Sequence, residues 1–543
     1  MLAGVLLLAM HQSIFAAIAV SGEVYPLDGG EATQASRLVI GGRSSDGSLT
    51  IDQGSTLFSK HAVLGGGSGT QGSVTVTGTG SFWGVNDWLD VGWIGDGELS
   101  IEDNAIVSIG RSTSVVGNAP AGGIIRFDNG TLITPSLLGS LYNLTGTGTI
   151  YTNGLIADGV DITVRSSFLP SEPFQLNQSP DQNITVYLSP DERGILGAGF
   201  DGTGSLMIEY PHHVDSSYGY IGYHRGSFGT VTVQGEWNIH ESLKVGKSGR
   251  GVLRIDDEAV VDVQGWTTTG WRTDGGSRIE FNGGELITGT LAVGFQELLG
   301  TGTIHTQGMI ADGYDLVIDA QHGTTQTIRL NNQPGQDIQI DLKLDSHYTL
   351  GAGYLGAGSL TIRDGVKVVS NDGFISYYGG SSGNAEVSGE GTEWRIHSYL
   401  NIGGVGDGIL TIRDDALVMT ENLWTGFHDE DSGKSFINMA NGGKFAIKGK
   451  LYPTSVTLAE FYEVFIPFSD PLPEVIRYWD AQSNSWSDLF NATLGEDYTL
   501  EYFDTGDLAG YTVLTVHTPL PEPNTAAVLW LGLTAFLHQR RGR

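Results

Sequence analysis

The chain has 543 residues, with 28 lysines and arginines against 61 aspartates and glutamates, a formal net charge of -33 at pH 7. So acidic a surface repels phosphate backbones and anionic lipid heads, which argues against nucleic acid and peripheral membrane binding. With no cysteine, thiol catalysis, thiolate metal sites and disulfides are excluded as well.

Residues 1–20, "MLAGVLLLAMHQSIFAAIAV", carry an apolar run followed by small residues, and Ala17-Ile18-Ala19 offers a cleavage site. No amphipathic period is visible, so the segment reads as a signal peptide, although no lysine or arginine precedes the apolar run. Residues 21–36 read as a leader and N-terminal cap.

The next segment, 37–451, repeats. "GSLTI" at Gly47–Ile51 returns as "GSLMI" at Gly204–Ile208 and as "GSLTI" at Gly358–Ile362, 157 and then 154 residues later. "GTGTI" at Gly146–Ile150 recurs at Gly300–Ile304. The chain therefore holds three tandem copies, 37–199, 200–353 and a truncated 354–451. Inside the copies runs a shorter period. Gly47, Gly72 and Gly97 lie 25 residues apart, as do Gly358, Gly383, Gly408 and Gly433, while Gly204, Gly229, Gly251 and Gly276 include one shorter step.

Alternation in "SVTVT", Ser73–Thr77, puts Val74 and Val76 on one face and the threonines on the other. One such segment cannot bury its apolar face alone, but stacking at this period gives every coil a neighbour above and below. The 81 glycines, about twice the usual share of roughly 7%, supply positive φ at the corners. The predicted fold is all-β, a right-handed parallel β-helix (β-solenoid) with coils of about 25 residues. Residues 452–518 break the period and are dense in aromatics, including Phe461, Phe465, Tyr478, Trp479 and Trp486, and read as a β-rich C-terminal cap over the solenoid's open edge.

The glycine-led coils, "GSLTI" and "GSVTVTGTGSFW", resemble the passenger regions of bacterial autotransporter-type adhesins. The resemblance covers most of 37–451 and implies an adhesive rod. It departs at the C-terminus, where too few residues follow for that family's membrane barrel of at least about eight strands.

The tail, 519–543, has an order of its own: Pro521-Glu522-Pro523, an apolar run Ala526–Leu537, then Arg540, Arg541 and Arg543. As a helix the run spans about 18 Å, short of the roughly 30 Å of a bilayer core, and the arginines would hold that end on the cytoplasmic side. This arrangement resembles the PEP-CTERM sorting signal of Gram-negative-type bacteria that make exopolysaccharide. The resemblance implies a membrane exosortase as partner, with Pro521, Glu522 and Pro523 as its recognition motif. The apolar run and Arg540, Arg541 and Arg543 would be the membrane stop, in contact with the membrane transiently. It further implies a protein exported to the cell surface or medium.

Candidate chemistry is thin. Glu102-Asp103, Asp256-Asp257-Glu258 and Asp414-Asp415 follow the same strand in each copy. A repeated position points to a repeated structural task, namely corner turns, whereas paired catalytic carboxylates would be expected once. No catalytic residue is assigned and the chain is not expected to be an enzyme. No cofactor is called for; carboxylates stacked at corners suit calcium, but no calcium-binding nonapeptide array is present. His212-His213 occurs once, without metal-ligand spacing. Trp83, Trp237 and Trp394 occupy matching positions in the three copies. As an exposed row they could stack sugar rings of an exopolysaccharide; as inward residues they pack a turn. The function expected is an exported, surface-sorted β-solenoid acting as a structural or adhesive component of an extracellular polysaccharide matrix. The alternative is a polysaccharide-active lyase or hydrolase, or a glycan-binding module, on a parallel β-helix.

Overall fold

The computed structural model describes residues 17–25, 37–42, 44–116, 122–165, 173–270, 276–426, 434–449, 458, 461 and 475–520. The expected architecture is present: an all-β chain wound as a parallel β-solenoid of about 15 turns, about 25 residues apart. It divides into two compact units, Met1–Ile287 with Leu299–Thr303, and Thr288–Leu298 with Ile304–Arg543.

In the first unit the ladder starts under an antiparallel cover. Ala17–Gly22 runs against Gly47–Asp52, and Val24–Tyr25 against Arg37–Ile40. Beyond it the coils stack in parallel, each from three short strands. Gln71–Thr77, Phe82–Val85 and Trp88–Val91 form one coil; Asp96–Glu102, Ile106–Ile109 and Ser112–Val115 lie in register on the next. Alternation then does what a single strand cannot. Leu49, Val74, Leu99 and Ile125 stand on one another as a buried column, as do Ile51, Val76, Ile101 and Phe127. Each such side chain contributes about 1.5–3 kcal/mol through burial.

The 25-residue glycine period is a column in the same ladder: Gly47, Gly72, Gly97 and Gly123 are direct partners, and so are Gly204, Gly229 and Gly251. Here the need is for close approach and not for positive φ. A Cβ on Gly72 would sit 2.0 Å from the carbonyl oxygen of Ile40. Positive φ belongs to a second glycine at the end of the coil, as at Gly92 with φ 79°.

In the second unit one ladder runs through Ala357–Arg363, Ser382–Ser388, Asp407–Arg413, Ser435–Met439 and Ile476–Asp480. Another runs through Leu350–Ala352, Gly373–Ile375, Glu393–Ile402, Leu417–Thr425 and Gly443–Lys448. Gly358, Gly383 and Gly408 hold the glycine column, but its next member is Ser435, whose hydroxyl donates to the Ile402 carbonyl at 2.7 Å. Gly433 lies outside the described residues. The first unit departs likewise: Gly276 falls one residue out of register, and Gly251 N–H donates to the Ser277 hydroxyl instead. A serine can take the place because its hydroxyl ties the corner that backbone approach ties elsewhere.

Antiparallel hairpins close both ladders of this unit. Tyr511–Val516 pairs with Gly443–Lys448 and with Tyr498–Phe503, while Ser485–Asp488 pairs with Ile476–Asp480. Covering an edge in this way removes a template for adding another chain. Phe461 is buried and Trp479 meets Trp486 edge-on at 5.4 Å; Phe465 lies outside the described residues.

The tandem copies share structural details as well as sequence. Gln182 Nε2 donates to the carbonyls of Leu141 and Leu144, and Gln336 Nε2 to those of Phe295 and Leu298. Asp158 accepts the backbone N–H groups of Asp201 and Gly202, and Asp312 those of Leu355 and Gly356. Of the signal-peptide segment 1–20 only residues 17–20 are described, and of the leader 21–36 only residues 21–25. The sorting motif Pro521, Glu522 and Pro523, the apolar run and Arg540, Arg541 and Arg543 lie outside the described residues. Among the described residues no helix is long and apolar enough to cross a membrane.

Candidate functional site

Trp83, Trp237 and Trp394 are each fully buried. Trp237 Nε1 donates to Ser216 at 2.9 Å and Trp394 Nε1 to Ser370 at 3.1 Å. A solvent-facing row of indoles for stacking sugars is therefore not what these residues form. They fall on the inward phase of the strand alternation, and packing is their task. The acidic corners behave as turns: Asp103, Glu258, Asp414 and Asp415 all have left-handed backbone, with φ of 52°, 62°, 57° and 62°. Among the described residues no group of three or more histidines and carboxylates is arranged to hold a metal ion.

One cluster escapes a reading of the sequence by motif. His213 and Asp215 point from one strand, and the next coil brings Glu236 into register with His213. The His213 imidazole lies 3.3 Å from Asp215 and 3.1 Å from Glu236, and His240 lies 3.7 Å from Asp215. Desolvation pulls the His213 pKa down, but the Glu236 hydrogen bond and the charges of Asp215 and Glu236 outweigh it and leave it raised. Burial, with the like charges of Glu236 and Glu285, raises Asp262. The arrangement is a charge ladder along the outer face, with each of these imidazoles beside a carboxylate. Its only trace in the sequence is the i, i+2 spacing on two strands that stack.

The recess with the character of a binding site lies in the second unit. A cavity of about 500 Å³ is lined by Asp372, Phe374, Tyr377, Tyr378, Tyr399, Asn401, Gly404, Val405 and Trp424. The volume is within the roughly 300–1,000 Å³ of small-molecule sites. Three stacked strands build its floor, with Phe374, Asn401 and Trp424 in direct register. Its wall is the corner after Ile375. There Tyr377 packs edge-on to Phe374 at 4.8 Å and to Tyr378 at 4.7 Å, and stacks on Tyr354 at 5.6 Å. Tyr399 and Trp424 are 54% and 44% exposed. The polar groups are few. Asp372 accepts from Tyr399 N–H and Asn371 Nδ2. Asn401 is 4% exposed and its Oδ1 has no hydrogen-bond partner. A buried, unpaired acceptor costs about 1–3 kcal/mol.

The first unit has the same corner 154 residues earlier. Phe200, Tyr220, Tyr223 and His224 stand where Tyr354, Phe374, Tyr377 and Tyr378 stand. Tyr223 meets Tyr220 edge-on at 5.0 Å and His224 at 4.7 Å, and stacks on Phe200 at 4.9 Å. In the first unit a lysine lies over the rings. Lys247 Nζ sits 3.6 Å from the Tyr223 ring centre and 5.3 Å from that of Tyr220. Burial lowers the pKa of Lys247 and, with the nearby Lys247 charge, that of Lys244. No family model, no curated protein and no solved structure matches the chain.

Proposed function

We propose that the protein is an exported β-solenoid that serves as a structural or adhesive component of an extracellular polysaccharide matrix. An N-terminal signal delivers it across the membrane, and an exosortase acts at Pro521-Glu522-Pro523, with Arg540, Arg541 and Arg543 as the stop. Cleavage after Ala19 would leave Val20, Ser21 and Gly22 paired with Leu49, Ser48 and Gly47, so part of the N-terminal cover survives in the mature chain.

The observation that carries binding over turnover is the aromatic character of the recess beside Tyr377. Its described lining contains one carboxylate, Asp372, whereas glycoside hydrolysis uses two flanking the scissile bond. Rigid aromatic faces with a few polar groups hold a ligand well and offer little to a reaction. Incubating the full chain with polysaccharide from its native host tests this. A matrix component sediments with the polymer and releases no new reducing or unsaturated ends. Accumulating chain ends would instead make the protein a hydrolase or lyase.

A further inference from the structure

We propose that another recess of the second unit, beside Tyr314, binds a neutral hexopyranose unit of a polysaccharide. It measures about 390 Å³, and its lining includes Tyr314, Asp315, Ser359 and Asn384, with Gly313 and Gly358 adding no side chain to fill it. The volume is within the roughly 300–1,000 Å³ of small-molecule sites. Three coils build the recess. Asp315, Ser359 and Asn384 are direct partners in the ladder, so a carboxylate, a hydroxyl and an amide rise in one column at about 4.8 Å per step. Tyr314 precedes the first member of that column and packs against Phe295 at 4.9 Å.

Most of the polar capacity of this lining is unspent. Ser359 donates its hydroxyl to Asp315 Oδ1 at 2.5 Å, and among the described residues the column makes no other side-chain hydrogen bond. Asp315 and Asn384 are exposed and Tyr314 is partly so. Burial, with the Asp315 charge, raises the Tyr314 pKa, so the phenol stays a donor. A pyranose carries hydroxyls around its rim and C–H groups on its faces, the complement of donors and acceptors set beside an aromatic ring. The lining includes no lysine, arginine or histidine among the described residues, and its one carboxylate repels an anionic sugar. A cation gains little there, because Asp315 is exposed to water and already accepts from Ser359.

The first unit supplies the contrast. At the same corner 154 residues earlier, Ser205 donates to Asp161 at the same 2.5 Å, but Val160 and Thr230 stand where Tyr314 and Asn384 stand. The ring and the amide are thus additions to a corner that folds without them. Resting on the matrix function proposed above, the source of the sugar is a neutral chain of that matrix.

Calorimetric titration of the full chain tests the proposal, with gluco-, manno- and galacto-oligosaccharides, an oligogalacturonate and a glucosamine oligomer, all of equal length. At least one neutral oligomer is expected to bind about fivefold or more tighter than the oligogalacturonate, and no more weakly than the glucosamine oligomer. Tyr314→Val and Asn384→Thr carry over what the first unit has at these places. The first is expected to weaken binding about fivefold or more by removing the ring, the second about threefold or more by removing the amide. The Asn384 side chain is exposed and bonds nothing among the described residues, so Asn384→Thr decides the matter should Tyr314→Val unfold. Failure of every neutral oligomer to bind, tighter binding of either charged one, or undiminished binding by every folded variant overturns the proposal. Oligosaccharide binding that the variants weaken, in a chain that does not sediment with its host's polysaccharide, upholds the site and overturns the matrix as its source. Sedimentation that persists in the variants, with no neutral oligomer bound, leaves the matrix function standing and overturns the site.

Discussion

Trp237 donates its indole N–H to the Ser216 hydroxyl at 2.9 Å, with both residues sealed inside the solenoid. At the matching pair of the first copy, Trp83 Nε1 and Ser59 Oγ are buried with no partner. Ser216→Ala strands a buried donor and is expected to cost about 1–3 kcal/mol. Ser59→Ala removes a hydroxyl that bonds nothing and is expected to change stability by less than about 0.5 kcal/mol. Urea unfolding of the two variants checks the difference; equal losses would contradict it.

Val76 is fully buried and its neighbour Thr75 is half-buried on the other face of the same strand. Val76→Asp places a carboxylate in the apolar column and is expected to cost several times more than Thr75→Asp, at least about 3 kcal/mol. Comparable melting temperatures for the two would mean that the inward phase of the strand is wrong.

Asp90 stands between Val63 and Ser114 in its column, and burial raises its pKa to about 6 from 3.8 against the opposing charge of Arg37. The folded state holds this proton more tightly than the unfolded chain does. Its contribution is therefore present at low pH and is lost as pH rises from the unfolded value through about 6. Asp90→Asn is expected to gain about 1–2 kcal/mol at neutral pH, allowing for screening, and almost nothing below the unfolded pKa. A stability–pH profile that falls no more steeply in the wild type than in the variant would contradict this.

The coils were legible in the sequence because a solenoid repeats its physics. Each inward position sees the same neighbours one coil away, so Val74 and Leu99 meet the same demand, and Gly72 and Gly97 the same close approach. The parity of Trp83, Trp237 and Trp394 was legible too, yet their chemistry invited a second use that burial removes. The recess was not legible. Phe374, Asn401 and Trp424 come together through the register of three coils, and no motif in the chain marks that column. Serines at the Ser277 and Ser435 corners were missed for a simpler reason: a hydroxyl can tie the corner where the glycine period leads one to expect glycine.

Changing Pro521 and Pro523 together to alanine leaves the tail's hydrophobicity nearly intact while removing its stiff, extended backbone. The double variant is expected to accumulate uncleaved in the membrane fraction of the native host, with the wild type at the surface or in the medium. Immunoblotting of the fractions checks this. Identical partitioning of the two would remove the motif from the sorting step.

The most direct measurement is the intact mass of the protein recovered from the native host's surface and medium. A sorted solenoid should begin after Ala19 and end at or near Pro521-Glu522-Pro523, without Arg540, Arg541 and Arg543. A full-length chain that keeps those arginines and remains in the membrane would contradict the sorting and, with it, the place proposed for the protein in the matrix.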